Sequence, residues 1–543
     1  MCGINFYYTN VDEDVLVNNH ILNKHRGPDN SQYKIFDLDN DYKVFLGFHR
    51  LSINDLSEKG NQPLNLRNHS NLYLICNGEI YNFRVLEKKY GFKLNSGSDC
   101  EIIIHLYNMK KEKCINELDG VFSFIIYDSE NNEILVGHDP IGVRSLYMGT
   151  NNNDKSIGFS SEMKGLVNIF DNITNFQPGS YLKYSLGEDT YNIKEYYNLN
   201  YHSNIVLNKI NYDKTFILQN IKCKLMNAVK KRLISDRPIG CLLSGGLDSS
   251  LIAGILNHYF KNEDRKLTTF SIGNENSPDL LQSRKVAEYL NTDHHEIIIN
   301  EQDMIDNIEH TIYHTETYDI TTIRASVPMF LLSKYIKENT DIKVIFSGEG
   351  SDEASGSYLY FKNAPNEKDF HNETLRLIKD LRYFDVLRCD KTTAGNGLEV
   401  RVPFLDKEFM EYYMSIDPYY KIPKNNNGIE KWLLRESFRE THLIPTDILW
   451  RQKEGFSDGV LKEKQSWSDM LAFLHEKYTD EDLENAKKKY KNHNTPLFKE
   501  ALYFREIFNK LFNNQDKIIP YYWLPKWCGN YIDPSARILP VYD

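Results

Sequence analysis

At 543 residues the chain is too long for one hydrophobic core and implies at least two domains. A hydrophobic share of 41% and an aromatic share of 13% suffice for packed cores, and a formal charge of −11 argues against non-specific nucleic-acid binding. No apolar run approaches the ~20 residues that cross a bilayer, so no membrane partner is expected, and Met1-Cys2-Gly3-Ile4-Asn5 lacks the marks of a secretory signal. Eight scattered cysteines without a Cys-x-x-Cys pair predict reduced thiols and a cytoplasmic location.

The first ~200 residues read as short strands joined by turns, with few long helices. Val44–Phe48 and Leu72–Cys76 are strand-like, and Val121–Tyr127 and Glu133–Gly137 flank an Asn131-Asn132 turn as a hairpin. Glu101 to Met109 has helical character, and Tyr181–Tyr184 reads as a late strand. A polar stretch from Leu199 to Asp213 is the linker candidate. Beyond it Ile217, Ile221, Leu225, Val229 and Leu233 recur every four residues, with Ala228 between, as in an amphipathic helix. Strand candidates Ile239–Leu243, Leu267–Gly273, His295–Ile299 and Lys343–Ser347 then alternate with helical stretches near Leu281–Leu290 and Arg324–Lys337. That alternation predicts a parallel sheet wound on both faces, with its chemistry at the C-terminal strand ends. From Lys368 the pattern is mostly helical, runs such as Lys487-Lys488-Lys489 read as solvated faces, and an aromatic, proline-containing tail follows Lys517.

Two stretches carry chemistry. Cys2 becomes the first residue if Met1 is removed, which a small side chain at position 2 permits. It would then hold both a thiol nucleophile and an amine, of ordinary pKa about 7.7–8, that can serve as its base. By position alone it is equally the start of a buried strand. The second stretch is Leu243-Ser244-Gly245-Gly246-Leu247-Asp248-Ser249-Ser250, between an apolar strand and an apolar helix. Strand, glycine turn and helix aim backbone N–H groups and a helix N-terminus at an anion. Asp248 would repel a phosphate unless a divalent cation, most simply Mg2+, lay between them. There is no Walker Gly-Lys-Ser/Thr, and an ordinary serine-capped helix start would read the same way.

Further motifs decide between these readings. Phe48-His49-Arg50-Leu51-Ser52-Ile53, Cys76-Asn77-Gly78-Glu79-Ile80-Tyr81-Asn82 and Gly97-Ser98-Asp99-Cys100-Glu101, with Cys2, resemble the class II glutamine amidotransferases, which are N-terminal-nucleophile (Ntn) hydrolases. Arg50 can bind the glutamine α-carboxylate as a bidentate pair, Glu79 and Asp99 its ammonium, and Asn77 and Gly78 can form an oxyanion hole. Singly, Asn77-Gly78 is also a hairpin turn and Arg50 a surface ion pair. The Leu243–Ser250 stretch resembles the pyrophosphate loop of the ATP pyrophosphatase family, which attacks ATP at the α-phosphate.

Together the halves resemble the glutamine-hydrolysing asparagine synthetase family over nearly the whole chain. The remaining motifs are Glu316–Ser326, Ser347-Gly348-Glu349-Gly350-Ser351-Asp352-Glu353, Glu399–Asp406 and Trp450-Arg451-Gln452-Lys453-Glu454. The resemblance implies an α/β protein: an Ntn-hydrolase α+β sandwich over residues 2–200, a doubly wound parallel-sheet ATP pyrophosphatase domain with a helical extension over 214–520, and a tail over 521–543. It implies glutamine hydrolysis through a Cys2 thioester and conversion of aspartate and ATP to β-aspartyl-AMP and pyrophosphate. Ammonia, carried by a sequestered apolar path, then displaces AMP to give asparagine.

By motif, Arg50, Leu51, Ser52, Ile53, Asn77, Gly78, Glu79 and Asp99 would bind glutamine. Leu243, Ser244, Gly245, Gly246, Asp248, Ser249, Ile272, Ser347 and Gly348 would bind ATP, and Asp248 and Asp352 would hold Mg2+. Glu349 would take a proton from attacking ammonia, and Lys453 would stabilise charge at phosphorus. Arg324 and Arg401 are candidates for the aspartate carboxylate, Arg401 being equally readable as a structural ion pair. The partners implied are glutamine, aspartate and ATP, with a homodimer left open. Three departures from the family pattern stand out, one being that the last ~40 residues carry no assignable motif. Ala354-Ser355-Gly356-Ser357 replaces a bulky apolar pair and Gly-Gly, which would loosen packing behind Glu349 and Asp352, and Ser145 replaces a proline, which would soften a turn. Rival readings are a β-lactam-forming or other amidotransferase ligase on the same scaffold, and a non-catalytic glutamine or ATP sensor.

Overall fold

Alternation along Gly3–Thr9 sends Ile4, Phe6 and Tyr8 to one face of a sheet, while Tyr7 stacks on Phe45 at 5.3 Å on the other. This computed structural model describes all residues except 67–68, 200–212, 454, 462–466, 514, 530–532 and 534–543. It divides into two units: Met1–Asn198 with Ile234–Pro238 and Thr393–Glu399, and Leu199–Leu233 with Ile239–Thr392 and Val400–Asp543. Most of the linker candidate lies outside the described residues.

The first unit has two six-stranded antiparallel sheets. One runs in the order Asn172–Asn175, Tyr147–Thr150, Ile157–Ser160, Gly3–Thr9, Lys43–Arg50, Asn30–Asp37. The other runs Ile193–Glu195, Ser180–Ser185, Glu133–His138, Gly120–Asp128, His69–Ile80, Leu64–Leu66. Ile4, Phe6, Val44, Leu46 and Phe48 from the first sheet form one buried cluster with Ile75, Ile125, Ile134, Val136 and Leu182 from the second, so the sheets pack face to face. On the outside of the second sheet, Leu74, Cys76, Phe122 and Phe124 meet Phe83 and Leu86 of helix Phe83–Tyr90 and Ile102–Ile104 of helix Glu101–Lys110. Helix Glu13–Ile21 covers the first sheet, where His20 lies edge-on to Phe45 at 5.5 Å. The layers are helix, sheet, sheet, helix.

Asn77-Gly78-Glu79 is no hairpin turn: it continues strand His69–Ile80, paired with Ser123, Phe122 and Val121. A Cβ at Gly78 would collide with Val121 and Phe122 of that neighbour. The turn containing Ser145 is fastened rather than slack. The Asp139 carboxylate accepts from the N–H groups of Ile141, Gly142, Val143 and Arg144, and the Ser145 hydroxyl donates to Ser161 O at 2.7 Å.

In the second unit the five-stranded sheet runs Asp293–Ile298, Thr268–Gly273, Ile239–Leu242, Val344–Phe346, Glu399–Arg401, and the first four strands are parallel. The chain builds outward from Ile239–Leu242 in one direction, then returns to its other side at Val344–Phe346. A crevice therefore opens beyond the carboxyl ends of these two strands, where Ser244 and Ser347 lie. Helix Lys214–Lys231 buries Ile217, Ile221, Leu225, Ala228 and Val229 as its period predicts, but it stops before Leu233 because Arg232 leaves helical geometry. Helices Leu247–Asn262, Pro278–Leu290 and Ile320–Asn339 separate the strands, and short helices dominate after residue 400. Tyr521 to Gly529 packs back on the unit: Trp523 lies 5.7 Å from Tyr358 and Trp527 5.9 Å from Phe361. All eight cysteines are free thiols, and among the described residues no helix is long and apolar enough to cross a membrane.

Candidate functional site

Each unit holds its own cavity. In the first, strand Gly3–Thr9 brings Cys2 against the end of strand Lys43–Arg50, and strand His69–Ile80 supplies Asn77 to Glu79 from the opposing sheet. The Cys2 N–H donates to Asn77 Oδ1 at 3.0 Å, and Cys2 O accepts from Arg26 Nε at 3.0 Å. Arg26, fully buried, is itself held by Glu162 at 3.0 Å. The Cys2 thiol faces Leu51 O at 3.8 Å. Asn77 is fully buried, and its Nδ2 has no hydrogen-bond partner among the described residues. An orphaned buried donor is rare enough to ask for a ligand.

A cavity of about 30 Å³ is lined by Cys2, Arg50, Leu51, Ile53, Gly78, Glu79 and Asp99, together with Asn54 and Glu399. Arg50 is fixed by the loop beside it: Nη1 donates to Ser57 O at 2.6 Å and Asn61 Oδ1 at 2.8 Å, and Nη2 to Asp55 O. Asn54 Nδ2 bridges Glu79 Oε2 at 2.6 Å and Asp99 Oδ1 at 3.1 Å. Ser52 is turned elsewhere, its N–H to Asp29 and its carbonyl to Arg237. Burial pushes the Cys2 thiol up to about 11, and it lowers the Met1 amine to about 6. Burial also raises Asp99, against its bonds from Ile80 N–H and Asn54. Burial thus favours the protonated thiol of Cys2 and the free-base amine of Met1. Asn54 was missed by the sequence reading, and Glu399, which opens a motif, was not assigned to this cavity. A single Asn in a polar loop carries no motif, and Glu399 reaches the cavity only through the chain's late return to this unit.

The second cavity, about 240 Å³, fills the crevice past the parallel strands. Leu243, Phe270, Ile272, Ala325, Met329 and Leu332 form an apolar end suited to a planar base. Ser244, Gly246, Asp248 and Ser249 line it from the glycine turn, and Ser347 and Gly348 from the end of the neighbouring strand. The turn is closed by its own hydroxyls, with Ser249 Oγ accepting from Ser244 N–H at 3.2 Å and lying 3.0 Å from Ser244 Oγ. Gly245 shapes it without lining the cavity: its φ of +75° is left-handed, and its carbonyl accepts from Arg451 at 3.2 Å.

The charged end is a linked set. Lys431 bridges the carboxylates of Asp248 and Asp352, lying 2.6 Å from Asp352 Oδ1. Lys453 Nζ reaches Asp352 Oδ2 at 2.6 Å, Ser351 donates to Asp248 Oδ1 at 2.8 Å and Ser357 to Asp352 Oδ1 at 2.6 Å. Burial alone would raise Asp352, but the ammonium groups of Lys431 and Lys453 outweigh it and hold the carboxyl well below its usual range. Beyond them Arg388 pairs with Glu349 at 2.7 Å and Asp385 at 3.0 Å. Burial raises Glu349, with Arg388 opposing.

The carboxylates of Asp248 and Asp352 thus converge on one cationic centre. A hard cation with few protein ligands and phosphate oxygens for the rest fits this donor set. The Ser357 departure adds a hydroxyl donor to one of these carboxylates rather than loosening it. Gly356 turns left-handed beside the Phe370 ring, and the Tyr358 hydroxyl donates to Glu353 at 2.5 Å.

The two arginines assigned to aspartate are not brought to this cavity. Arg324 is buried, with Nε and Nη2 on Glu500 at 2.9 and 2.6 Å and Nη1 on Asp533 at 2.8 Å. Arg401 is buried and donates to Arg232 O. Arg324 closes its fixed guanidinium fork on the Glu500 and Asp533 carboxylates and Arg401 turns Nη1 to a backbone carbonyl, whereas Arg388 and Arg451 line the cavity. Lys431 was also missed, because it is an isolated lysine in Gly428-Ile429-Glu430-Lys431-Trp432. The one local sign is structural: its φ of +55° is unusual for a non-glycine residue.

Comparison with known proteins matches both halves. The asparagine synthase family matches residues 220–368 and 362–528, and the glutamine amidotransferase domain family matches residues 1–185. The chain is 44% identical over 538 residues to the glutamine-hydrolysing asparagine synthetase of Gallus gallus, covering 95% of this chain and 94% of that one. It is 43% identical over 561 residues to a probable glutamine-hydrolysing asparagine synthetase of Acanthamoeba polyphaga mimivirus, covering 100% of both. Among solved structures it is similar to the glutamine phosphoribosylpyrophosphate amidotransferase of B. subtilis complexed with ADP and GMP. There the identity is 13% and the TM-score 0.30, over 64% of this chain and 81% of that one.

Proposed function

The chain belongs to the glutamine-hydrolysing asparagine synthetases, and from that premise we propose that it makes asparagine from aspartate, glutamine and ATP at two divided sites. The observation that carries the reading is that a chain matched end to end by such relatives keeps both a thiol-lined cavity and a separate glycine-turn cavity with paired carboxylates.

At the first site, removal of Met1 frees the Cys2 amine to take the thiol proton. The sulfur attacks the side-chain amide carbonyl of glutamine, the C–N bond breaks, and ammonia leaves a thioester that water cleaves to glutamate. Asn77 Nδ2, orphaned at rest, and the Gly78 N–H donate to the oxyanion. Arg50 takes the α-carboxylate, and Glu79 and Asp99, held together by Asn54, take the ammonium.

At the second site, the apolar end takes adenine and the turn from Ser244 to Ser249 takes the phosphates. Magnesium, held by Asp248 and Asp352, would neutralise phosphate charge when bound. The aspartate side-chain carboxylate attacks the α-phosphorus and pyrophosphate departs, with Lys453 and Lys431 facing the charge that moves. Arg388, beside Glu349, takes the aspartate α-carboxylate in place of Arg324 and Arg401. Ammonia then adds to the acyl carbon, Glu349 accepts its proton, and AMP leaves. Burial, which lifts the Glu349 carboxyl toward neutrality, suits a group that must take and release a proton.

The test is Cys2→Ala. It should abolish glutamine-dependent asparagine formation while ammonia-dependent formation continues, and pyrophosphate release should require aspartate in both proteins. Equal loss with both nitrogen donors rejects the division of labour. Pyrophosphate release without aspartate, or none under any condition, rejects the synthetase.

A further inference from the structure

We propose that Trp523, on the segment from Tyr521 to Gly529, walls the amino-acid end of the synthetase cavity and shields the acyl adenylate from water. The proposal rests on the synthetase reading and adds to it a residue that no motif identified.

The segment is built into the unit along its length. The Tyr521 ring packs on Phe384 at 5.4 Å, and its hydroxyl accepts from Arg376 at 2.5 Å and donates to Asp380. Lys526 pairs with Glu373 at 2.5 Å, and Asn363 donates to Trp527 O at 3.3 Å. Between these anchors Trp523 and Pro525 turn toward the cavity and line it. The Trp523 backbone N–H donates to Asp319 Oδ1 at 2.8 Å, and Asp319 also lines the cavity.

The indole stands beside the Tyr358 ring over which Lys453 lies. It lies 5.7 Å from the Tyr358 ring and 6.1 Å from Tyr360, and Lys453 Nζ stands 5.2 Å over Tyr358. Lys453, Tyr358 and Trp523 therefore form one continuous side, and the same cavity holds Glu349, Asp385 and Arg388. A small amino acid activated beside Glu349 is thus enclosed by aromatic rings on the side that this segment supplies.

Enclosure has a chemical purpose. The mixed anhydride reacts with water as it does with ammonia: water oxygen adds to the acyl carbon, the bond from that carbon to the phosphate oxygen breaks, AMP leaves, and aspartate and a proton are released. ATP would then be consumed with no asparagine made, and water exclusion suppresses this loss.

The experiment compares Trp523→Ala and Trp523→Phe with the unaltered chain under saturating ammonia, which bypasses glutamine hydrolysis. Pyrophosphate and asparagine are measured together with the KM for aspartate and the thermal midpoint. The unaltered chain should release close to one pyrophosphate per asparagine. Truncating the indole should raise the aspartate KM about tenfold or more, as for a buried aromatic anchor, and should raise the pyrophosphate-to-asparagine ratio above unity. Trp523→Phe should fall between. An unchanged ratio and KM in folded Trp523→Ala overturns the proposal, because a purely structural residue alters the amount of active protein and leaves the ratio alone. If Trp523→Ala does not fold, the ratio in Trp523→Phe decides in the same way. Absence of aspartate-dependent pyrophosphate from the unaltered chain would sink the synthetase reading itself.

Discussion

Replacing Asn77 by alanine should separate folding from catalysis in one substitution. The side chain is fully buried; its Oδ1 accepts from the Cys2 N–H at 3.0 Å while Nδ2 has no partner among the described residues. Losing the accepted bond costs about 0.5–1.5 kcal/mol, whereas removing the orphaned donor recovers about 1–3 kcal/mol of desolvation. The small void left behind takes back part of that gain, so net stability should stay within about 1 kcal/mol of the parent. During glutamine hydrolysis the balance is one-sided, because loss of one oxyanion donor typically lowers kcat about 10²- to 10³-fold. The assay pairs a thermal midpoint with glutamate release from glutamine, and ammonia-dependent asparagine formation serves as the control for the other site. A large drop in midpoint with turnover per folded molecule preserved would refute the reasoning, since Asn77 would then be a structural residue.

Lys431→Met removes the ammonium shared by Asp248 and Asp352 and should destabilise the ligand-free protein by about 3 kcal/mol, the low end for a broken buried pair because Lys453 remains on Asp352. Added magnesium and ATP should narrow that gap in a thermal melt; an equal gap with and without them removes the case for a shared cation position. Arg388→Lys should raise the aspartate KM about tenfold with little change in midpoint, as for one lost bidentate contact. Arg324→Lys should do the reverse, lowering the midpoint and sparing KM, because its fork is closed by Glu500 and Asp533; the opposite pattern would restore Arg324 to the substrate. Burial holds His49 down at about 4 against an ordinary 6.5, so only the unfolded chain binds a proton between those values. Stability of the first unit should be full above pH 6.5 and fall by about 3 kcal/mol as pH drops to about 4, read from denaturant melts at each pH; a flat profile contradicts a buried neutral imidazole.

The fold was legible wherever local periodicity matched burial. The 3.6-residue period of Ile217 to Val229 and the apolar runs at Ile239, Leu267 and Lys343 specify their own elements, since in each the core face is written into neighbouring residues. Leu233 shows the limit: it keeps the spacing, but the helix ends at Lys231 because Arg232 caps it and pairs with Asp406 at 2.6 Å. Long-range closure is written nowhere locally. Nothing in Ile234–Pro238 or Thr393–Glu399 announces that these short stretches belong with the first unit. The same distinction governs the sites. Cys2, Arg50, Gly78, Glu79 and Asp99 share a cavity because each sits in a motif whose backbone geometry travels with it. Arg324 and Arg401 also sit in motifs, yet Arg324 is closed by Glu500 and Asp533 and Arg401 is turned to Arg232 O, partners up to some two hundred positions away.

Both cavities carry an unmet requirement in their resting state, of opposite kinds. At Asn77 the fold leaves a buried donor without an acceptor among the described residues, and on the reading proposed above the group it awaits is the oxyanion formed during reaction. At Asp248 and Asp352 the fold brings two carboxylates to one point, and repulsion between them is relieved by Lys431, a side chain whose φ of +55° is itself held by the structure. On the proposed reading, a lysine there would yield its place to a metal and face the departing pyrophosphate, which a hydrophobic filler would not do. Two carboxylates this close repel each other without a cation, so Lys431 and the Ser351 hydroxyl tie the turn at Asp248 to the helix at Ser351 in the ligand-free protein. That is preorganisation by charge, and it explains why the residue without a motif stands at the centre of the set.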